Sequence, residues 1–252
     1  MLNHMKFLLS ISMLCCTFFL CNAQTSLGLK AGICIPNLKG SNSAENPVAN
    51  DWSSRLGPYF GVVASFKISE HFSLQPELNF SSQGGKKNGE QAIATATLPG
   101  IPPGVILPPY LFVNINATAI LNYLELPVLA SGNFRLSKKI DFFINAGPYI
   151  GYLLNAKTKS KGSSVIYTDE AETTPLFPTP VNLDMTMDIK DDLKKINMGI
   201  QFGTGISYKL TKGSVRLTGG GNLGLTNIQK DKSNGENKTG AATIAIAYLH
   251  NL

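Results

Sequence analysis

The chain has 252 residues, 43% of them hydrophobic and 15% charged, with a formal net charge of +6. That length suits one domain. The basic residues are scattered among turns and connections, not gathered in a stripe with aromatics, so nucleic-acid binding is not expected.

The first residues read as a leader, not as part of the fold. Lys6 forms a positive start, Phe7 to Leu20 an uncharged apolar run, and Cys21-Asn22-Ala23 a small-residue cleavage site. The run is too short and one-sided for a transmembrane anchor. Cleavage after Ala23 makes residues 1–23 a signal peptide and 24–252 a single domain; Met1 and Met5 both remain as start codons. Leu20 is the wrong size for the residue before a lipid-modified cysteine, so Cys21 is not read as an anchor. Cys15, Cys16 and Cys21 leave with the leader, and Cys34 alone cannot form an internal disulfide. No later segment is apolar for long enough to form a membrane helix. Entry into a membrane therefore requires closed β-structure.

Eight segments alternate apolar and polar residues with a period of two, the mark of a strand with two unlike faces. The first sets Leu27, Leu29, Ala31, Ile33 and Ile35 against Gly28, Lys30, Gly32 and Cys34. The second sets Phe60, Val62, Ala64, Phe66 and Ile68 against Tyr59, Gly61, Val63, Ser65 and Lys67. The third, Phe72 to Gln83, is the clearest: Phe72, Leu74, Pro76, Leu78 and Phe80 alternate with Ser73, Gln75, Glu77 and Asn79. The fourth sets Leu124, Leu126, Val128, Ala130 and Phe134 against Tyr123, Glu125, Pro127, Ser131 and Arg135. The fifth sets Ile140, Phe142, Ile144, Ala146, Ile150 and Tyr152 against Asp141, Asn145, Gly147, Tyr149 and Gly151. The sixth runs from Ile196 to Leu210, the seventh from Val215 to Leu225, and the eighth from Ala242 to Tyr248.

The connections segregate by length. Ser69-Glu70-His71, Ser137-Lys138-Lys139 and Thr211-Lys212-Gly213 are tight turns. Pro36 to Leu56, Gly84 to Thr118, Asn155 to Lys195 and Asn227 to Thr239 read as long loops. Short turns on one side and long loops on the other predict an all-β fold, an eight-stranded antiparallel up-and-down transmembrane barrel. A lipocalin-like soluble carrier of an apolar ligand also has eight strands, with its apolar face inside. Gly28, Gly32, Gly61, Gly147, Gly199, Gly203 and Gly205 share the polar parity. Glycine relieves crowding in a narrow lumen and gains nothing on a solvated face. The polar face is therefore read as the lumen. Pro76, Pro127 and Pro148 fall inside segments, each removing a ladder donor, and require a bulge or a local break. Gly219-Gly220-Gly221 has no helix after it, so it is not a phosphate loop; a kink in the seventh strand is expected.

The stretches L-G-L-K-A-G-I, F-S-L-Q-P-E-L-N-F-S-S-Q-G, L-N-Y-L-E-L-P-V-L, A-G-P-Y-I-G-Y-L-L and G-G-N-L-G-L-T-N-I together resemble the PorT-like outer-membrane β-barrel family of Gram-negative bacteria. The resemblance runs from about Leu27 to Leu252. It implies an outer-membrane location, contact with outer-membrane lipid and assembly by the barrel-insertion machinery. It implies no single activity, although PorT-type members are linked to protein secretion. The chain ends Tyr248-Leu249-His250-Asn251-Leu252, where outer-membrane barrels often end on an aromatic residue.

No catalytic constellation, metal-ligand spacing or cofactor motif is present: His71 and His250 stand alone, and no G-x-S-x-G elbow occurs. The expectation is a non-enzymatic scaffold acting through its long loops, with a lipocalin-like carrier or a small ion channel as alternatives. Lys30, Lys67, Glu77, Glu125, Asp141 and Arg216 share the lumen parity, as do Arg135 and Lys209. Charges in a narrow lumen must pair or stay hydrated. They form either an ion-paired plug or an ion path. Five prolines between Pro99 and Pro109, with Ile101, Val105, Ile106, Leu107 and Tyr110, make the Gly84 to Thr118 loop apolar and irregular. It is either a contact for a protein or glycan partner or a flap over the barrel mouth. Acids from Asp169 to Asp192 read as a solvated face, and L-D-M-T-M-D-I from Leu183 as an extension of the sixth strand.

Overall fold

A computed structural model of the protein describes residues 25–40, 52–95, 106–231 and 236–252. The expected leader, residues 1–23, lies outside them. The strands are β1 (Thr25–Gly40), β2 (Gly57–Lys67), β3 (Phe72–Ala94), β4 (Tyr110–Arg135) and β5 (Ile140–Lys161), then short β6 (Ser163–Ser164), β7 (Val181–Asn182) and β8 (Met185–Asp188), then β9 (Ile196–Leu210), β10 (Gly213–Gly224) and β11 (Asn237–Asn251). Eight of these close a ring in the order β1-β2-β3-β4-β5-β9-β10-β11. Every neighbour is antiparallel, and β1 against β11 completes the circle. Ser26 pairs with Asn251, so both ends of the described chain leave from the short-turn side.

The alternation places the two faces as expected. Leu29, Phe60, Leu78, Leu126, Ile200, Phe202, Ile206 and Ile246 are exposed on the outer wall. Ser73, Gln75, Glu77, Asn79, Glu125, Asn145 and Asn197 are buried inside. This is the opposite parity from a soluble carrier, whose apolar side chains fill the interior. Along β4 the outward apolar row runs from Leu124 to Phe134. At about 3.4 Å per residue and a tilt near 40°, that row is about 26 Å tall, the height of an outer-membrane hydrocarbon band.

The strands run well beyond that band. β3 and β4 stay paired from Gln83 and Leu121 out to Ala94 and Tyr110, so most of the expected Gly84 to Thr118 loop is a strand ribbon. β5 continues to Lys161, and β8 pairs with it from Met185 to Asp188. The Leu183 segment is thus a strand, separated from β9 by a 3-10 turn at Lys190–Asp192 rather than continuous with it. Above the band the facial code inverts. On β4, Leu111, Val113, Ile115, Ala117, Ala119, Leu121 and Tyr123 point inward and are buried, while Asn114 and Asn116 face outward and are exposed. Below Tyr123 the inward residue is Glu125 and the outward ones are Leu124 and Leu126. The solvent changes from lipid to water along the strand, so the outer face changes from apolar to polar. A register shift against β5 falls at this boundary, between Asn122 and Tyr123.

The inverted part, the crown, has its own apolar core: Leu38, Leu121, Tyr123, Leu153, Leu193 and Ile228, with Trp52 and Ile189 packed against it. Arg55 fastens β3 to the chain entering β2, donating through Nη2 to Ser82 O at 3.0 Å, Ser82 Oγ at 2.6 Å and Gln83 O at 2.7 Å.

The prolines are absorbed by local breaks, not bulges. The β2–β3 ladder is interrupted between Val63–Glu77 and Phe66–Leu74, and β3–β4 between Pro76–Val128 and Asn79–Glu125. β4–β5 is interrupted between Pro127–Tyr149 and Ala130–Ala146. The register is the same on both sides of each gap. Missing donors are thus gathered in one region of the wall instead of being spread along it. The expected kink at Gly219-Gly220-Gly221 does not form: all three pair in register with β9 and β11.

Candidate functional site

The lumen is crossed by a buried polar network. Lys30 on β1 donates to Glu77 Oε2 on β3 at 2.5 Å and to Tyr59 OH on β2 at 2.8 Å. Glu77 also accepts from Gln75 at 2.6 Å, Asn79 at 2.8 Å and Gln201 at 3.2 Å, so both carboxylate oxygens are satisfied from three strands. Arg216 on β10 donates to Gln75 Oε1 at 2.8 Å and lies 5.3 Å from the centre of the Phe143 ring. One layer up, Glu125 is fully buried and accepts from Gln83 at 3.1 Å and from Asn222 at 3.2 Å on each oxygen. A third layer joins Asn197 to Thr239 at 2.8 Å and Thr226 to Asn197 at 2.9 Å.

Glycines seat the lumen aromatics. A Cβ on Gly205 would stand 2.0 Å from Leu217 O and 2.9 Å from the Phe143 ring; one on Gly199 would meet Leu223 O at 2.1 Å and the Tyr149 ring at 2.6 Å. Neither position, both on β9, can carry a side chain without displacing backbone.

Of the charges read as a lumen cluster, the structure joins Lys30 to Glu77 directly and links Arg216 to Glu77 through Gln75. Glu125 has amide donors and belongs to a separate layer. Asp141 pairs with Lys209 at 2.7 Å near the short turns. Lys67 is exposed and lines the same short-turn vestibule as Asp141, His71 and Arg135, so it is not part of the central network. Parity was right for Lys67, but depth was not. The residues that partner the charges, Tyr59, Gln75, Asn79, Gln83, Gln201 and Asn222, share the lumen parity but are uncharged, so charge in the sequence does not mark them.

The vestibule is a cavity of about 460 Å³. The centre of the lumen, between Lys30, Glu77, Phe143 and Arg216, retains only about 30 Å³. That is room for about one water molecule. The crown holds a separate, mainly apolar cavity of about 250 Å³.

In the outer segments, Asp169 accepts from Thr173 N at 2.7 Å and Thr173 Oγ1 at 2.9 Å. Hydrogen bonds from Thr174 and Thr173 hold its carboxyl below the usual aspartate range. Asp184 accepts from Gly162 N at 2.7 Å and Asp188 from Lys190 N at 2.9 Å. These acids shape turns, and no group of three metal-ligating side chains occurs among the described residues. Of the proline-rich stretch, residues 99–105 lie outside the described residues, and Ile106 is 98% exposed rather than folded onto the mouth.

A closed eight-stranded antiparallel ring with an apolar outer wall and a polar, filled interior defines an outer-membrane β-barrel. The chain belongs to the outer membrane protein beta-barrel domain family, whose model matches residues 22–230. Among solved structures it is similar to Neisserial surface protein A, at 10% identity and a TM-score of 0.40, over 89% of this chain and 97% of that one. It is also similar to Ail, the attachment invasion locus protein of Yersinia pestis, at 10% identity and a TM-score of 0.35, over 90% and 98%. The N-terminal β-barrel domain of Pseudomonas aeruginosa OprF is similar at 9% identity and a TM-score of 0.32, over 90% and 99%. No curated protein matches the sequence.

Proposed function

We propose that this protein is a non-enzymatic outer-membrane scaffold that binds through its crown, is exported by a signal cleaved after Ala23, and is of the PorT-like, secretion-linked kind. The observation that carries the binding role is the division of the molecule. The lumen is plugged by interlocking polar side chains, whereas the strands continue outside the apolar band into a packed crown with its own core and cavity. A barrel that served only to hold lipid gains nothing from strands of 23 and 26 residues when about 9–11 cross a bilayer. The crown's ribbon is the surface offered to a protein or glycan partner, and the barrel-insertion machinery places the chain. The filled lumen speaks against an ion path.

The test replaces residues 84–119 by a tight turn and compares the trimmed and full chains in a strain lacking the gene. Both are expected to show heat-modifiable gel mobility in the outer-membrane fraction, and only the full chain restores the strain's secreted proteins. A trimmed chain that restores them removes the crown's role. An unchanged set of secreted proteins in the deletion strain removes the secretion link. Step conductance in planar bilayers would favour the ion channel.

A further inference from the structure

Three cross-strand pairs among the described residues set charge against charge: Arg135 against Asp141, Lys157 against Asp188, and Lys39 against Lys238. The first two oppose unlike charges, as sheets prefer. The third sets two ammonium groups side by side at the β1–β11 seam, an arrangement that costs stability. Both lysines are exposed on the outer face, and neither forms an ion pair among the described residues.

What faces this pair follows from its depth. Up the outer face of the seam the pairs run Ile33–Ile244, Ile35–Ala242, Asn37–Gly240 and Lys39–Lys238. The apolar rows end at Ile35 and Ala242. At about 3.4 Å per residue and a tilt near 40°, the lysine backbones stand about 10 Å above that edge. A headgroup layer reaches about 5–8 Å beyond the hydrocarbon. A lysine stem of about 6 Å bends back far enough to put its ammonium among the headgroups. Leu38, the inward neighbour of Lys39, lies in the apolar core of the crown, so the outer face here is already clear of the lipid tails. Only Asn37 and Gly240 stand between the lysines and the apolar rows, and a Cβ on Gly240 would meet nothing closer than 3.7 Å. The wall is low there, directly beneath two cations.

We propose that Lys39 and Lys238 clamp the phosphate monoester of an outer-leaflet lipid whose acyl chains lie on Ile33, Ile35, Ala242 and Ile244. A phosphate monoester carries about −1.5 to −2 charges at pH 7, which matches two ammonium groups. A phosphodiester carries a single charge and leaves one lysine uncompensated. With the monoester between them, the repulsion across the ladder becomes two charge-assisted contacts. The seam that closes the ring thereby gains a lipid as a third partner. The Lys157–Asp188 pair on β5, at a similar remove from the apolar band, already carries its own counter-charge and offers no such clamp. This inference rests on the reading of the chain as a membrane barrel with its crown outside.

The full chain in detergent micelles is titrated with phosphatidic acid, a monoester, and with phosphatidylglycerol of the same chains, a diester, and bound lipid is counted by native mass spectrometry. Phosphatidic acid is expected to bind at least about fivefold more tightly. Lys39→Gln with Lys238→Gln should weaken phosphatidic acid by about 10- to 30-fold and erase the preference. Lys159→Gln with Lys161→Gln removes the same charge from the outer face of β5 and should change binding by less than about twofold. Equal binding of the two lipids, or equal losses in the two double variants, overturns the clamp. Inorganic phosphate is added as a competitor. No displacement at concentrations equal to the lipid is expected, and displacement there would assign the lysines to a free anion and overturn the lipid. Heat-modifiable mobility is read on the same samples. A heat-modifiable chain without the preference refutes the clamp alone, whereas a chain that never becomes heat-modifiable refutes the barrel reading beneath it.

Discussion

Placing one charge on the outer wall at two depths tests the orientation of the barrel. Phe202 is 47% exposed and lies midway along the outward row of β9 that runs from Ile196 to Leu210. It pairs with Ala146 and Gly221, so no neighbouring acid lies directly across the ladder. Leu210 ends the same row at a tight turn and is 45% exposed. In a bilayer, arginine costs about 2–4 kcal/mol at mid-depth and about 0–1 kcal/mol near the interface. Phe202→Arg should therefore destabilise the folded barrel by about 2–3 kcal/mol more than Leu210→Arg, about 30- to 150-fold in the equilibrium constant. Equilibrium urea unfolding in phosphatidylcholine vesicles, followed by Trp52 emission and heat-modifiable mobility, measures the difference. In a water-soluble barrel both positions face solvent, and the two costs would agree within about 0.5 kcal/mol. That agreement would refute the assignment of the outer wall to lipid.

Three further outcomes follow from the lumen and the crown. Glu77→Gln leaves the Lys30 ammonium buried without its carboxylate and should cost about 3–5 kcal/mol; adding Lys30→Met should recover part of it. Additive costs in that cycle would mean that the pair is not coupled. Gly205→Val should prevent the heat-modifiable form, because any Cβ there meets Leu217 O at 2.0 Å. A variant that still folds would show that the β9–β10 approach is looser than the geometry states. Leu153→Ala, at the fully buried core of the crown, should cost about 2–5 kcal/mol. The loss should appear as faster hydrogen exchange in the upper parts of β4 and β5, with the membrane part of the barrel still protected.

The membrane part of the fold was legible because lipid imposes a strict code. Period-two alternation, tight turns at Ser69, Ser137 and Thr211, and glycines on one parity located eight strands and both faces. The crown was not read as strand because its code is the reverse. In L-F-V-N-I-N-A-T-A-I-L-N-Y the alternation is as regular as in Phe72 to Gln83, but the apolar residues change parity at Tyr123. A search for one continuous apolar face stops there, and the neighbouring prolines made a loop the natural reading. The lumen was half legible. Parity picked out Lys30, Glu77, Glu125 and Arg216, but not depth, which is why Lys67 was grouped with residues that it does not touch. The partners of these charges could not be found by charge at all. Glu77 and Glu125 are held largely by amides on β3, β9 and β10, which only the closed ring brings together.

The central claim is that one set of strands carries two opposite facial codes, apolar outward in lipid and apolar inward above it. Spin labels placed one at a time along β4 from Val113 to Phe134 measure this directly, through collision with membrane-soluble oxygen and with a water-soluble nickel chelate. The account predicts high oxygen contact at Leu124, Leu126, Val128 and Phe134, and high nickel contact at Asn114 and Asn116. Low contact with both is expected at Val113, Ala117, Ala119 and Glu125. Oxygen contact at Glu125 in place of Leu124 and Leu126, or one unbroken pattern through Tyr123, would contradict it.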